Sequence, residues 1–422
     1  MNSKRGKTNM GKEYIDEILR YEPKVSAFVD GTFDKTNVLD TIKNQNKNLP
    51  LSGVLLGVKD IINVDKFPTR CGSELPSSLF DGPQASCVTR LLKAGAVMVG
   101  KTVTAEFAAS DPGPTRNPRN LSYSPGGSSS GSAAAVAAGF CDIALGTQTS
   151  GSVIRPAGYC GTFGYKPSFG RIASDGVLPF SKSMDHIGLL AKDMPTMAAT
   201  LPILVDDWKN NKVGAQNGKP VIGIPKGTYI DLASKNVREQ YEGVITKISA
   251  IGFVIKPINL TDDIIGLNDA HDLIANAELY QIHKFWLKNY RHLYKPKSLD
   301  ALDFGKKISS EVLAENLLRA QKVQLHMQKL MEEQQIDIWL APVAPDLAPR
   351  GISSTGDFRM NAVWSLTGLP VITFPTGTDH RNLPYGIQII GRFGLDERLL
   401  DFSSELNRHI GVGSLPLAWD RH

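Results

Sequence analysis

The chain has 422 residues, of which 41% are hydrophobic and 21% charged, with a formal net charge of +5 at pH 7. This composition is typical of a globular protein, and the length suffices to bury large cores. Outside the short Lys4–Lys7 region the charge is spread thinly, so we expect neither nucleic acid nor a membrane surface as a partner. No apolar run reaches the ~20 residues that cross a bilayer, and no signal peptide is visible.

The four cysteines are far apart in the sequence and form no C-x-x-C pair; they are Cys71, Cys87, Cys141 and Cys160. No histidine follows them at zinc-ligand spacing. We therefore expect reduced core thiols in a cytoplasmic protein. We also expect no metal and no cofactor.

The N-terminal part of the chain predicts a polar helical segment up to Leu49, followed by a buried strand. The nearly continuous apolar run from Ser52 to Val64 is typical of a strand that is covered on both faces. Lys59 lies in the middle of this run. It either pairs with Asp60 or reaches solvent from the strand end, or it is desolvated and available as a base.

A short helix from Ala85 to Lys93, closed by Gly95, precedes a strand from Ala96 to Gly100. The stretch GAVMVGKT, from Gly95 to Thr102, matches the letters of a phosphate-binding P-loop. In a P-loop, however, the strand precedes the motif, whereas here the strand lies inside it. We therefore reject a nucleotide-binding interpretation.

The stretch SPGGSSSGSAAAVAAG, from Ser124 to Gly139, places backbone N–H groups and hydroxyls at the start of an Ala-rich helix. Its GSSSG segment matches the nucleophile elbow G-x-S-x-G, with Ser129 at the centre. That α/β-hydrolase interpretation needs a histidine, and the candidates are His271, His283 and His380. It also needs a buried strand before the elbow, but the preceding residues are polar and contain two prolines.

A second Ser-rich turn follows a strand from Ile143 to Leu145 and leads into a helical start at Ser152 to Arg155. Another strand is predicted near His186 to Leu190. The polar stretch from Lys209 to Gly218 predicts a loop before the strand PVIGIP. Serines at such turns are ordinarily helix N-caps, but two turns this rich in glycine favour a functional role.

Helices dominate from about residue 235 to residue 333. One of them carries an apolar stripe that predicts core packing: Leu313, Leu317, Ala320, Val323, Met327 and Leu330. Three buried strands follow, Asp337 to Pro345, Leu369 to Pro375 and Tyr385 to Gly391, and a last helix spans about Glu397 to Asn407. This order favours one α/β domain around one large sheet.

Three pieces of the chain, GVKD, GGSSSGSAAAVAAG and GTQTSGSVIRPAGYCG, resemble the amidase signature family in order and separation. The resemblance covers about Gly53 to Met194 and is weaker in the C-terminal strands, notably Trp364 to Gly377. The motif form looks most like the short, malonamidase-like members. The resemblance implies a single α/β/α domain with a large mixed central sheet. It also implies hydrolysis of a small amide through an acyl-enzyme.

Carried onto this sequence, the resemblance implies a catalytic triad of Lys59 as base, Ser128 as bridging serine after a cis peptide bond, and Ser152 as nucleophile. The implied oxyanion hole consists of backbone N–H groups from Thr149, Ser150, Gly151 and Ser152. A serine hydroxyl needs a base within hydrogen-bond reach. For a lysine to be neutral near pH 7, its pKa must fall by about two to three units, which desolvation can supply.

The resemblance also implies that Arg155 binds a substrate carboxylate and that Ser129 faces the substrate. The alternative for Arg155 is an ion pair that ties the turn to the core. Ser130 and Ser150 stand where glycine is commoner in the family. Gln148 stands where transamidase-type members have an acidic residue, which argues against membership of a tRNA amidotransferase. Both a catalytically degenerate binding protein and a homodimer remain open.

The domain organisation that we predict combines an N-terminal helical segment with an amidase domain in three parts: residues 1–50, then 51–422 with a signature core at 53–194, a helical substrate-side region at about 230–335, and C-terminal strands with a helix at 336–410.

Overall fold

The structure is a computed structural model that describes residues 10–109, 111–209 and 219–420, with side chains from Tyr14 onward. The predicted loop from Lys209 to Gly218 therefore lies outside the described residues from position 210 onward, as does the Lys4–Lys7 region. No helix within the described ranges is long and apolar enough to span a membrane.

The helices of the described chain are α1 (Met10–Val25), α2 (Lys35–Asn44), α3 (Ser86–Lys93), α4 (Ser130–Ala137), α5 (Ile154–Cys160), α6 (Met194–Leu204), α7 (Thr228–Asp231), α8 (Lys235–Ala250), α9 (Ile264–His283), α10 (Leu287–Tyr290), α11 (Pro296–Gly305), α12 (Ser310–Glu333), α13 (Arg359–Leu366) and α14 (Asp396–Ile410). The strands are β1 (Leu55–Lys59), β2 (Val97–Thr102), β3 (Ile143–Gln148), β4 (Phe163–Lys166), β5 (His186–Ala191), β6 (Ile222–Lys226), β7 (Ile255–Asn259), β8 (Ile338–Pro342), β9 (Val371–Thr378) and β10 (Pro384–Ile390).

All ten strands form one sheet in the order β2-β1-β3-β5-β4-β9-β10-β8-β6-β7. The outer strands are parallel, as in β2-β1-β3 and β8-β6-β7, whereas the central pairs from β3 to β8 are antiparallel. The predicted α/β domain with a large mixed sheet is confirmed.

Alternation along β1 decides which face each side chain meets. Leu56 and Val58 enter the core that α3, α6, α8 and α14 cover, whereas Leu55 enters the core beneath α1, α2 and α4. Because successive residues point to opposite faces, Lys59 shares the side of Leu55. The strand thus directs its one cation towards the face that carries the Gly/Ser stretch.

Most predicted elements are present, and the rejected P-loop is indeed a strand, β2. The apolar stripe on α12 packs against the core with Ala320 and Met327 buried. Two strands were not predicted. β4 has only four residues, two of them Gly and Lys, and β7 is an edge strand with Pro257 and half-exposed residues.

Candidate active site

Lys59 ends β1 at the carboxyl side of the sheet and is completely buried. Its Nζ lies 2.8 Å from Ser128 Oγ and 2.8 Å from Thr147 Oγ1, with Thr147 O at 3.3 Å. Burial lowers the pKa of Lys59 to about 7, and the charge of Asp185 opposes this fall. A neutral amine has two N–H groups and one lone pair, so one hydroxyl neighbour can donate its proton to the nitrogen.

The alternative that Lys59 pairs with Asp60 is wrong. Asp60 forms a buried ion pair with Lys101 at 3.0 Å, and Lys101 also donates to Thr69 Oγ1 at 3.0 Å. The backbone N–H of Arg70 reaches both carboxylate oxygens of Asp60. The carboxylate next in sequence to Lys59 is therefore already satisfied, which leaves Lys59 to the two hydroxyls.

The two Ser-rich turns meet at the backbone. The peptide bond between Gly127 and Ser128 is cis, as the resemblance implied. The N–H of Ser129 donates to the carbonyl of Ser152 at 3.3 Å, which brings the turn after β3 against the turn before α4. Ser152 is 8% exposed, and its hydroxyl bonds to no other described residue. The structure therefore joins Lys59 to Ser128 directly and places Ser152 beside them.

The turn from Thr149 to Ser152 is held from outside by side chains. Gln148 Oε1 accepts from the N–H groups of Val153 and Ile154, each at 2.9 Å, and so caps the start of α5. Ser365 Oγ donates to the carbonyl of Ser150 at 2.6 Å. Within the described chain, no acceptor takes the backbone N–H groups of residues 149–152. Four N–H donors consequently remain available in one tight turn.

Ser150 fits this turn without strain, because its φ is not positive. The expected cost of a serine at a position where the family often has glycine is therefore absent. Ser130 donates to the carbonyl of Val103 at 3.3 Å and is likewise accommodated in the first turn of α4.

Ser129 does not resemble an elbow nucleophile. It is fully buried, its hydroxyl donates to Thr147 O at 3.2 Å, and the Thr147 N–H donates back to it at 3.3 Å. No strand precedes it in the described chain between β2 and α4. A substrate-facing role for Ser129 stays a prediction, with its hydroxyl already engaged by backbone.

None of the three histidines proposed for an α/β-hydrolase contacts Ser129. His271 donates from Nε2 to the carbonyl of Thr149 at 3.1 Å. His283 is buried against the hydroxyl of Tyr294 at 3.0 Å, and His380 is exposed beside Asp379. The hydrolase alternative therefore lacks its base.

Arg155 is buried on α5 with only part of its guanidinium satisfied. Nη2 donates to the carbonyl of Gly127 at 2.7 Å and lies 3.5 Å from Thr355 Oγ1. Nε and Nη1 are buried and have no partner among the described residues. No carboxylate of the described chain lies within ion-pair distance, so the predicted alternative of an ion pair with the core is wrong. Burial lowers the pKa of Arg155.

Comparison with known proteins gives the same assignment over nearly the whole chain. The Amidase family model matches residues 11–400. The chain belongs to the amidase family. A glutamyl-tRNA(Gln) amidotransferase subunit from Saccharolobus solfataricus is 30% identical, covering 97% of this chain and 96% of the relative. Amidases of this family act on carbon–nitrogen bonds of amides, and so does this enzyme.

Solved structures agree. A crystal structure of an amidase superposes with a TM-score of 0.83 at 25% identity, covering 96% of each chain. The corresponding glutamyl-tRNA(Gln) amidotransferase subunit from Thermotoga maritima gives a TM-score of 0.79 at 26% identity, covering 97% of this chain and 94% of that one. The fold of this amidase is therefore that of the family.

Several residues around the amidase site were not predicted from the sequence. Asp185 accepts from Thr149 Oγ1 at 2.5 Å and from the N–H groups of Phe180 and Ser181. Burial raises the pKa of Asp185 to about 6, against these hydrogen bonds. Because Gln148 pairs with His186 where β3 and β5 run antiparallel, Asp185 comes to lie beside Thr149. Only the strand pairing reveals this neighbour.

Two cavities border the amidase site. One of about 290 Å³ is lined by Thr147, Asp185 and His186, among others, and His186 Nε2 is buried without a partner there. A second, of about 330 Å³, is lined in part by Met184 and Ser365. These volumes are at the small end of ligand pockets. Among the described residues, no group of three or more His, Cys, Asp or Glu side chains could hold a metal ion.

Proposed function

We propose that this amidase hydrolyses a small carboxamide through an acyl-enzyme, with Ser152 as nucleophile, Ser128 as proton relay and Lys59 as base. The observation that carries the proposal is the fully buried Lys59 amine at 2.8 Å from Ser128 Oγ. A lysine with its pKa near 7 is half neutral at physiological pH, which a general base requires.

In the proposed reaction Ser152 Oγ attacks the amide carbon as its proton passes to Ser128, and the Ser128 proton passes to Lys59. The N–H groups of the turn from residue 149 to residue 152 stabilise the oxyanion, and each such donor contributes about 3 to 4 kcal/mol in comparable sites. The C–N bond then breaks, and the amine leaves with a proton returned from Lys59 through Ser128. Water attacks the acyl-enzyme by the same route and releases the carboxylic acid.

The missing hydrogen bond at Ser152 Oγ is compatible with this scheme. In free enzymes catalytic hydrogen bonds are often long and shorten only when substrate is bound. The backbone bond from Ser129 to Ser152 already fixes the two turns against each other.

Arg155 supports a substrate that carries a carboxylate. Its Nε and Nη1 groups are buried donors without partners among the described residues, and such donors are costly unless a ligand accepts from them. A guanidinium presents two parallel N–H groups that match a carboxylate. We therefore infer a short amide with an acid group at its far end.

Ammonia release from succinamic acid and from neutral butyramide tests this inference in the wild type and in Arg155→Met. We expect KM for succinamic acid to rise about tenfold or more in the variant, with butyramide unchanged. Arg359→Met removes a charge near the site that is already paired with Asp357, and serves as the matched control. An unchanged KM for succinamic acid in Arg155→Met would overturn the acidic substrate but leave the triad intact.

Labelling with a fluorophosphonate and peptide mapping tests the nucleophile. Modification of Ser152 that disappears in Lys59→Ala supports the proposal. Modification of Ser129 would support the esterase alternative instead, and no modification would support a protein that only binds.

A second candidate is service within a glutamyl-tRNA(Gln) amidotransferase, the complex that the curated relatives are named for. Gln148 speaks against it, because transamidase-type members have an acidic residue at this position. Glutamine hydrolysis by the isolated chain, compared with short acidic amides, separates the two candidates. Release of ammonia from glutamine alone, with none from succinamic acid, would favour the second.

A further inference from the structure

The positive charge of this chain is not spread evenly, contrary to the expectation from overall composition. Between residues 284 and 307 there are seven Lys and Arg residues and two Asp, so the segment has a net charge of +5. This equals the formal net charge of the whole chain. The remainder of the chain is therefore balanced, and one segment accounts for the excess.

In the structure this segment forms α10, α11 and the turn between them, next to the end of α9. A cleft of about 450 Å³ opens there, which we call the basic cleft; it is lined by Tyr280, Lys284, Leu287, Lys288, Arg291, Asp303 and Lys306. Asp303 is the one carboxylate in the lining, and both its oxygens are bonded to Arg291, at 3.0 and 2.6 Å. The basic cleft therefore presents a surplus of cations.

Three of these cations lack an acidic partner. Lys284, Lys288 and Lys306 have no carboxylate within 4.0 Å in the described chain, and Lys284 Nζ bonds only to Gln281 Oε1. Holding three like charges together without counter-charges is unfavourable in itself. The arrangement thus favours a ligand with several negative charges.

An aromatic side chain stands at the rim of the basic cleft. Phe285 is 65% exposed, and the amines of Lys284 and Lys288 lie 5.3 and 5.6 Å from its ring centre. An exposed Phe beside cations is the combination that proteins use to stack a base and hold its phosphates. Acidic peptides offer charge but no flat ring to stack on it.

The basic cleft belongs to the same block as the rim of the active site. Lys297, at the start of α11, donates to the carbonyl of Ser353 at 2.7 Å. Two residues further on, Thr355 lies 3.5 Å from Arg155. A long ligand bound in the basic cleft would therefore run towards the candidate active site.

We propose that the basic cleft binds single-stranded nucleic acid, with phosphates on Lys284, Lys288 and Lys306 and a base stacked on Phe285. The proposal is independent of the amide substrate. It concerns a surface that contains none of the residues assigned to catalysis.

Fluorescence anisotropy of a labelled RNA of about 12 nucleotides, titrated with the full chain at KCl concentrations from about 50 to 200 mM, tests the proposal. We expect a Kd of about 10⁻⁴ to 10⁻⁶ M and a slope of log K against log[salt] of about −2, since each phosphate neutralised on a single strand contributes about −0.7. In the triple variant Lys284→Ala, Lys288→Ala, Lys306→Ala, affinity should fall at least about tenfold and the slope should approach zero.

Phe285→Ala should weaken binding by about fivefold or more and leave the slope unchanged, because stacking carries no charge. Lys329→Ala, an exposed lysine on α12 paired with Glu333, is the control for loss of charge and should bind like the wild type. Ammonia release from a small amide should be unchanged in all these variants, which shows that they are folded. Equal loss in Lys329→Ala, equal competition by polyglutamate, or absence of RNA binding would each overturn the proposal.

Discussion

Replacement of Lys59 by Met isolates the free energy of burying this amine. The side chain keeps its approximate length but loses its charge and its bonds to Ser128 and Thr147. The expected result is an inactive protein whose stability relative to the wild type depends on pH.

The magnitude follows from the pKa of Lys59, which burial lowers from 10.5 to about 7. At ~1.4 kcal/mol per unit, that shift corresponds to about 5 kcal/mol of unfavourable free energy when the lysine is protonated on unfolding. Between pH 7 and 10.5 the unfolded chain binds more protons than the folded one, so wild-type stability rises with pH. The unfavourable contribution is absent above pH 10.5 and complete below pH 7.

Urea unfolding at several pH values between 7 and 10 measures this difference. The stability of Lys59→Met minus that of the wild type should fall by about 1.4 kcal/mol per pH unit over this range. Any cost of leaving the Ser128 and Thr147 hydroxyls unpaired is the same at every pH and does not alter the slope. The kcat/KM of the wild type should rise about tenfold per pH unit up to about pH 7 and then level off.

Lys166→Met is the matched control. Lys166 is also fully buried with its pKa lowered to about 7, and its amine bonds only to the carbonyl of Pro167 at 3.0 Å. It should show the same pH-dependent gain in stability while ammonia release persists. If the stability difference for Lys59→Met is the same at pH 7 and pH 9, the reasoning from desolvation is wrong.

Three further substitutions probe the frame around the site. In Gly131→Ala the new Cβ would overlap the carbonyl of Ala27, so thermal unfolding should show a loss of at least about 1–3 kcal/mol. Asp396→Ala leaves Arg171 without a buried partner and should cost about 3–5 kcal/mol in urea unfolding, whereas an exposed pair would cost under ~1. Gln148→Glu keeps the acceptor that caps α5 but loses the donor to Ser365, so kcat should fall more than KM changes; an unaltered kcat would contradict a positioning role.

The site illustrates how far sequence reasoning reaches. Lys59 could be singled out because a cation inside an apolar run is exceptional, and the two Ser-rich turns could be singled out by composition. Asp185 and His271 could not, because each contacts Thr149 from an element distant in the sequence. The basic cleft was overlooked for another reason: its charges are interleaved with apolar residues, which hides their common surface.

The sequence by itself determined that Lys59 is buried, because an apolar strand in the middle of a sheet has no solvent on either face. It also determined the helix starts and the order of the motifs, which depend on local spacing. Only the tertiary structure decided which hydroxyls meet the amine, which carbonyls and carboxylates hold the turn after β3, and that Arg155 has two donors without a partner among the described residues. Those contacts join residues far apart in the chain, and they arise from strand pairing and helix packing rather than from any local pattern.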